Sequence, residues 1–540
     1  MSANIPPFLQ EHTHLRHGVL CWYPFPEGAT ALDLSGGALT ELLKQRNLKV
    51  SDGADGGNFD YIVLLDPDDF GTDALTRYRA RLTVGGRLLI AYENPFALRF
   101  WAGRGAEPGK APYESLFGRA GGPGKAELDS RLTDAGFARR KWYYPLTDHW
   151  LTTEVYSEAY PPNEILNQRG NLFIYDDPNL QFDERPLYRE IIRGGAFGFL
   201  CAAYLVEACT GDSEPCAVDY AAVTIYREPS KRFATTVRND GTARKTALHS
   251  DAAARLGQTL RNHEELAALG VNVLPLASDG ESLVMQRLNL PTIWDYWADK
   301  LLRGTFDFDE AARGFDRIRD AIYKAAAGGK CYWELVPANC FYDAANDELI
   351  FFDQEYYWDG APPELALVRA IFAVNYSSAF AADVRHDEWI ERLKARYSLA
   401  ERWDELAALA GEKTRLEVFG TGLNPAERAA ERAAERARYS RFIPIAAKLR
   451  SLGKNAPVLY GAGVRGQTLR AVLENCGFEL AATVDRNRGE YRALSALPPG
   501  LAADIVIVTV RRGEDISAEL RGQTDLPVYT IEELSDAEPD

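Results

Sequence analysis

From Ala29 onward, apolar runs alternate with helix-like stretches: ATALDL, the small-residue turn SGG, ALTELLKQ, then FDYIVLLD, a further helix, and GGRLLIAYEN. Strand and helix patterns that alternate in this way predict a mostly parallel sheet flanked by helices. From about Val218 the order changes. Two β-like runs, AVTIYR and RFATTV, precede the helix SDAAARLGQTLRNHEELAAL, the β-like SLVMQRL and helical segments that continue to about Ala410. Strands first and helices later is an α+β order. Between Asn424 and Tyr439 the triplet AER recurs every four residues, with Asn424 placed as a cap and Pro425 in the first turn, which predicts a solvated connecting helix. From Ala456 the runs PVLY, GAGVRG, QTLRAVLENCG, FELAATVD and ADIVIVTV restore the strand, turn, helix, strand order.

A chain of 540 residues is too long for one ordinary core, and 46% hydrophobic with 26% charged residues describes several folded domains. The net charge of -17 argues against a general nucleic-acid binder, because phosphate contacts need a surplus of Lys and Arg. The seven cysteines form no CxxC pair, so reduced thiols are expected. No basic segment followed by an apolar core opens the chain, and the apolar stretch from Ala196 to Cys209 is interrupted by Gly198 and Glu207. A cytoplasmic protein with no transmembrane segment is the expectation.

Three segments carry candidate chemistry. The first is Leu32-Asp33-Leu34-Ser35-Gly36-Gly37-Ala38-Leu39-Thr40, a strand with an acidic residue near its end that runs into a small-residue turn and a helix. Such a turn lets backbone amides approach an adenine-nucleotide cofactor. With FDYIVLLDP and GGRLLIAYENPFALRFWAG as the fourth and fifth strands, it resembles a class I S-adenosylmethionine-dependent methyltransferase. With APYESLFG and YYPLTDHWLTTEVYS, it resembles such domains encoded with bacterial surface-polysaccharide machinery. The resemblance covers roughly the first 200 residues. It implies S-adenosylmethionine at Asp33, Ser35 and Gly37, and a sugar or glycan acceptor, with other glycan-assembly proteins as partners. Ser35 and Leu39 stand where the family has its outer glycines, and the stretch that usually carries the ribose-binding acid is short. Asp52 or Asp55 could substitute.

The second segment is CYWELVPANCFYDAANDELIFFDQEYYW. Phosphoryl transfer needs a cation near the phosphates, oxygens that hold a metal, and a carboxylate to receive the hydroxyl proton. Glu334, Asn339 five residues on, and Asp353 at the end of an apolar run supply that kit in order. The pattern resembles the catalytic loop and metal-binding aspartate of protein-kinase-like and aminoglycoside-phosphotransferase-like folds. The resemblance implies ATP and magnesium, with Glu334 as the base and Asn339 and Asp353 as metal ligands. It also implies Lys245 as the phosphate-binding lysine, Glu264 or Glu265 as its helix partner, and LVMQRL as the hinge toward adenine. Glu replaces the family's Asp at position 334. No glycine-rich loop precedes Lys245, and YREPSKRF occupies that place.

The third is Gly461-Ala462-Gly463-Val464-Arg465-Gly466, a GxGxxG that follows a strand and opens a helix, with Asp485 ending the next strand. That is the context of the dinucleotide fingerprint, and NAD or another nucleotide is the ligand class it suggests. No P-loop signature occurs. His12, His14 and His17 read as a solvated segment more than a metal site, His149 reads as isolated, and Trp142-Tyr143-Tyr144 and Tyr356-Tyr357-Trp358 could stack on sugar rings but more often pack a core.

The expected architecture is α/β multidomain. It comprises a truncated methyltransferase-like Rossmann sheet over 1–205, a kinase-like α+β domain over 215–415, a helical linker over 424–450 and a Rossmann-like βαβ domain over 455–540. Two functions fit: a group-transfer protein of surface-glycan assembly acting on a sugar or glycan end, or a non-catalytic assembly factor built from degenerate cofactor folds.

Overall fold

The computed structural model describes residues 12–535 apart from 54–56, 104–112, 114–115, 117–121, 165–186, 374–384, 421–441, 487–489 and 511–512. Asp55 and the AER repeat therefore lie outside the described residues.

The first alternating segments form four parallel strands, β1 (Thr30–Leu34), β2 (Lys49–Ser51), β3 (Phe59–Leu65) and β4 (Leu82–Glu93), in the order β2-β1-β3-β4. Helix α1 (Thr40–Gln45) links β1 to β2, and α2 (Thr72–Ala80) links β3 to β4. Both faces of β1, β3 and the second half of β4 are covered, which is why these strands read as apolar runs, while the edge strand β2 is half-exposed. Ile62 and Leu64 of β3 pack on one side with Leu32 and Ile90, and Tyr61 and Val63 on the other with Ala31 and Leu89.

The chain then turns antiparallel. Strands β5 (Arg139–Leu146) and β6 (Glu154–Ser157) form a hairpin, and β7 (Ala203–Cys209) pairs with both β4 and β5. Strands β8 (Val218–Val223), β9 (Phe233–Arg238), β10 (Thr242–Ala247), β11 (Ala277–Ser278) and β12 (Ser282–Gln286) follow in the order β8-β9-β10-β12-β11. Pairing of Glu154 with Ala222 and Val155 with Ala221 joins them to β6, so one 12-stranded mixed sheet runs through both parts.

The AVTIYR run is shorter as a strand than its pattern predicts. Pairing stops at Val223, and the Thr224 hydroxyl accepts from Phe233 N at 2.8 Å, closing a turn that carries Pro229. Proline has no N–H to give a ladder.

Helix α3 (Ser250–Ala268) follows β10. It buries Leu256, Thr259, Asn262, His263 and Leu266, a helical spacing of one face. Beyond the sheet lie α4 (Ile293–Leu302), α5 (Phe308–Ala326) and α6 (Pro363–Phe372). Between α5 and α6 are two small antiparallel sheets, β13 (Lys330–Tyr332) with β16 (Tyr357–Asp359) and, between them in the chain, the hairpin of β14 (Cys340–Asp343) with β15 (Glu348–Phe351). Their core is aromatic: Trp297 stacks on Phe315 at 5.1 Å, with Trp389 edge-on to both. Each such buried ring is worth about 1.5–3 kcal/mol.

The last part is a four-stranded parallel sheet of β17 (Pro457–Tyr460), β18 (Ala482–Val484), β19 (Ile505–Val508) and β20 (Val528–Thr530), ordered β18-β17-β19-β20, with α7 (Val464–Asn475) following β17. The whole is a mixed α/β multidomain fold. Among the described residues no helix is long and apolar enough to cross a membrane.

Candidate active site

Strand β10 pairs with a strand on each edge, and its side chains alternate between the two faces of the sheet. Ala243 and Lys245 point to one face and Arg244 and Thr246 to the other, as the cavities they line show. The first face roofs a cavity of about 400 Å³ between the sheet and the helical part. That volume suits a nucleoside-sized ligand. Val237 and Ala243 form its roof and Phe341 and Phe352 its floor, with Met285 to Leu288 along one side. The two floor rings stack on each other at 4.5 Å.

Lys245 is buried at the inner end. Its Nζ donates to Asp353 Oδ1 and Glu355 Oε1. Burial pulls the ammonium pKa down, but the two carboxylates outweigh it and hold it above the ordinary value. Asp353 sits at φ 58, a left-handed conformation that Asp tolerates better than most side chains, and this sharp turn after β15 sets Asp353 and Glu355 on the same ammonium.

Asn339 ends a short 3-10 turn that opens with Pro337. Its Nδ2 donates to Glu334 Oε2 at 2.8 Å, which turns the side-chain carbonyl Oδ1 away from Glu334. Glu334 itself is buried, and its other oxygen lies 3.7 Å from Arg369. Burial is the largest influence on the Glu334 carboxyl and raises its pKa, against the pull of Arg369; Glu355 and Asp353 add to the rise. Arg227, in the turn after β8, is close enough to Glu355 and Glu334 for both to act on its charge.

A carboxyl whose folded pKa is raised favours the fold below its unfolded value, near pH 4.3, and loses that contribution as pH rises through the folded value. Glu334→Gln keeps an acceptor for Asn339 and removes the buried charge. We expect its stability advantage over the unmodified chain to be absent at pH 4 and to reach about 1 kcal/mol by pH 8. Urea unfolding at the two pH values measures it, and an advantage that shrinks with pH would contradict the assignment.

The lysine's helix partner differs from expectation. Glu264 is exposed and Glu265 pairs with Lys330 at 2.5 Å. Helix α3 instead presents Asn262, whose Nδ2 donates to Gln354 O at 2.8 Å, and His263, whose Nε2 accepts from Gln354 N at 3.3 Å. The helix therefore holds the Asp353 turn by its backbone, and the carboxylate comes from Glu355.

Sequence reasoning also missed the outer wall. Tyr156, Tyr160 and Pro161, from the β6 hairpin and its exit, line the same cavity. Tyr160 stacks on Tyr220 at 5.0 Å, and the Arg287 guanidinium lies 4.7 Å from its ring. Only the β6–β8 pairing brings these residues to the cleft, and no local pattern announces it.

Asp33 and Ser35 close on their own turn. Asp33 Oδ1 accepts from Ser35 N at 2.9 Å and Oδ2 from the Thr40 hydroxyl, while Ser35 Oγ accepts from Leu39 N at 2.9 Å. Gly37 is exposed at φ 88. His149, far from isolated, places Nε2 2.8 Å from Asp66 Oδ2 beyond the end of β3.

At the C-terminal sheet, Gly461 has φ 115, Gly463 caps α7, and Gly466 packs against Gly461 so closely that a Cβ there would lie 1.9 Å from Gly461 O. Asp485 Oδ2 accepts from Ala462 N at 2.8 Å, so the acid braces the glycine turn.

Among the described residues no group of three or more His, Cys, Asp or Glu is placed to hold a metal ion, and that includes the N-terminal histidines. Magnesium asks less of a protein: one or two side-chain oxygens, with phosphates and water completing its shell. Asp353 and Asn339 Oδ1 fit that requirement.

No protein-family model matches the chain, and no curated protein matches it. Among solved structures it is similar to the crystal structure of a point mutant of the Mycobacterium tuberculosis PknI kinase domain, at 16% sequence identity over 28% of this chain and 71% of that one, with a TM-score of 0.21. A likeness that slight carries no argument.

Proposed function

We propose that the cleft under β10 binds a nucleoside triphosphate with magnesium and passes its terminal phosphoryl group to a hydroxyl of a sugar or glycan acceptor. The observation that carries this reading is the amide of Asn339. It donates to Glu334 and so leaves its carbonyl for a metal shared with Asp353. One side chain then holds both the candidate base and the metal site in register. The five-stranded order β8-β9-β10-β12-β11, with a helix after the lysine strand, supports the same reading.

Magnesium, when bound, would neutralise phosphate charge. The chain's own residues do the rest. Lys245 would meet phosphate oxygens from the anchored position that Asp353 and Glu355 give it. Ala243, Val237 and the Phe341–Phe352 stack would sandwich a base, and Tyr160 would keep water from its outer edge. Glu334 Oε2 would take the acceptor's proton, which its raised pKa favours.

Asn339→Ala and Asp353→Ala are each expected to remove the magnesium dependence of ATP binding, weakening it by about tenfold or more. Equilibrium dialysis with and without magnesium reads this directly. Unchanged affinity in both variants would reject the metal assignment.

A second reading, a binding or assembly factor without catalysis, draws on Arg227. It approaches Glu355 and Glu334 from the turn where a glycine-rich loop would leave room for phosphates. For the first sheet we favour a retained binding fold over methyl transfer from S-adenosylmethionine, because Asp33 is already held by Ser35 and Thr40. For the C-terminal sheet we favour docking over NAD chemistry, because one Asp485 oxygen braces the glycine turn.

A further inference from the structure

The face of β9 and β10 that turns away from the cleft closes a second, larger cavity of about 1260 Å³. Its other wall belongs to the first part of the chain: the segment Thr13–Val19, the flank of α1 and the turn Gly36-Gly37-Ala38. The lining is basic in a chain whose net charge is -17. Arg16, Arg46, Arg232, Arg238 and Arg244 face it, against Glu27, Glu41 and Glu281.

Two of these arginines are already neutralised. Arg238 pairs with Asp240 at 3.2 Å and Arg244 with Asp279 at 2.5 Å. Arg46 and Arg232 are not. Arg46 donates to Tyr23 O at 3.4 Å and Arg232 to Arg227 O at 2.7 Å, and neither pairs with a carboxylate among the described residues. Burial lowers the Arg232 pKa, and the group set against it is the Cys21 thiol, not a carboxylate. His14 and His17 are brought down to about 4, by burial first and by Arg232 among the charges around them. A half-buried guanidinium with no counter-charge is costly unless an anion completes it.

The exposed turn Gly36-Gly37 lines the same space. No hydrogen-bond partner is found for the N–H of Gly36 or Gly37 among the described residues, and a Cβ on either would meet nothing within 4 Å. Successive amides in such a turn form an anion-binding concavity. The volume exceeds what a lone phosphate fills, and the two uncompensated arginines stand on opposite walls.

We propose that this cavity is a second ligand site, for a small molecule bearing a diphosphate, with Arg46 and Arg232 clamping the anion from the two parts of the chain. It is separate from the cleft, which lies across the sheet and shares none of its lining residues, and it adjoins the turn that follows β1 without reaching Asp33 or Asp66. Because strands β9 and β10 form the roof of the cleft on one face and the wall of this cavity on the other, a ligand here would order the strand that carries Lys245.

Calorimetric titration of the full chain with inorganic pyrophosphate, in the presence of a chelator, tests the site without engaging the metal-dependent cleft. One-to-one binding is expected in the intact chain and in Asp353→Ala, and about tenfold weaker binding in Arg232→Gln and in Arg46→Gln. Arg46 is on the outer wall, so its variant keeps the test open if Arg232→Gln fails to fold. No binding at millimolar pyrophosphate, equal affinity in a folded arginine variant, or equally tight binding of sulfate would overturn the proposal.

Discussion

Lys245→Met is expected to destabilise the protein by about 3–5 kcal/mol and to weaken nucleotide binding at least tenfold. The substitution leaves Glu355, which is 3% exposed, buried without its ammonium. Removing one partner of a buried pair exposes the full desolvation penalty of the other, which is far larger than the net worth of the pair. The two effects separate in a double variant. Adding Glu355→Gln removes the orphaned charge and should recover much of the lost stability, while binding stays lost because no cation faces the phosphates. Urea midpoints and ATP affinity, measured on the single and double variants, read the two quantities. Recovery of binding together with stability would show that Lys245 acts only as a structural counter-ion.

Gly466→Ala is expected to unfold the C-terminal sheet while leaving the 12-stranded sheet intact. Its Cβ would fall 1.9 Å from Gly461 O and 2.9 Å from Thr509 Oγ1. The first neighbour is backbone and cannot swing away, so the first turn of α7 must lift from β17, a packing failure of several kcal/mol. Limited proteolysis should then cut the C-terminal part first, and a separate early transition should appear on heating. A single unchanged transition would mean that the helix has room to move. Gly463 is the contrast: a Cβ there meets nothing within 4 Å, so Gly463→Ala should be tolerated.

Legibility from sequence followed the range of the interactions. The strands β1, β3 and β4 are readable because both faces of their central residues are buried and each carries a local apolar run. The GxGxxG turn was readable because its geometry lies within a few residues. Glu334, Asn339 and Asp353 could be singled out by spacing, and the fold brings Asp353 to Lys245 from 108 residues away. Glu355 carries no sequence signal although it stands two residues after Asp353, because its role depends on the left-handed turn at Asp353, which residue types do not announce. The kinase-like resemblance implies Glu264 or Glu265 as the lysine's helix partner, yet α3 turns Asn262 and His263 inward instead. Tyr160 and Arg46 were beyond reach, since each acquires its place from contact between two parts of the chain. The same applies to His149, which only the fold sets beside Asp66.

The proposed function rests on one cleft, lined by the lysine strand and the Asp353 turn, with the Asn339 turn leading into Phe341 of its floor. Calorimetric titration of the intact chain with ATP, once with magnesium and once with a chelator, tests it most directly. The prediction is one-to-one binding with magnesium and at least tenfold weaker binding without it. Silence at millimolar ATP under both conditions, or identical affinity in the two, would contradict the assignment of Asp353 and Asn339 as the metal-holding pair of a nucleotide site.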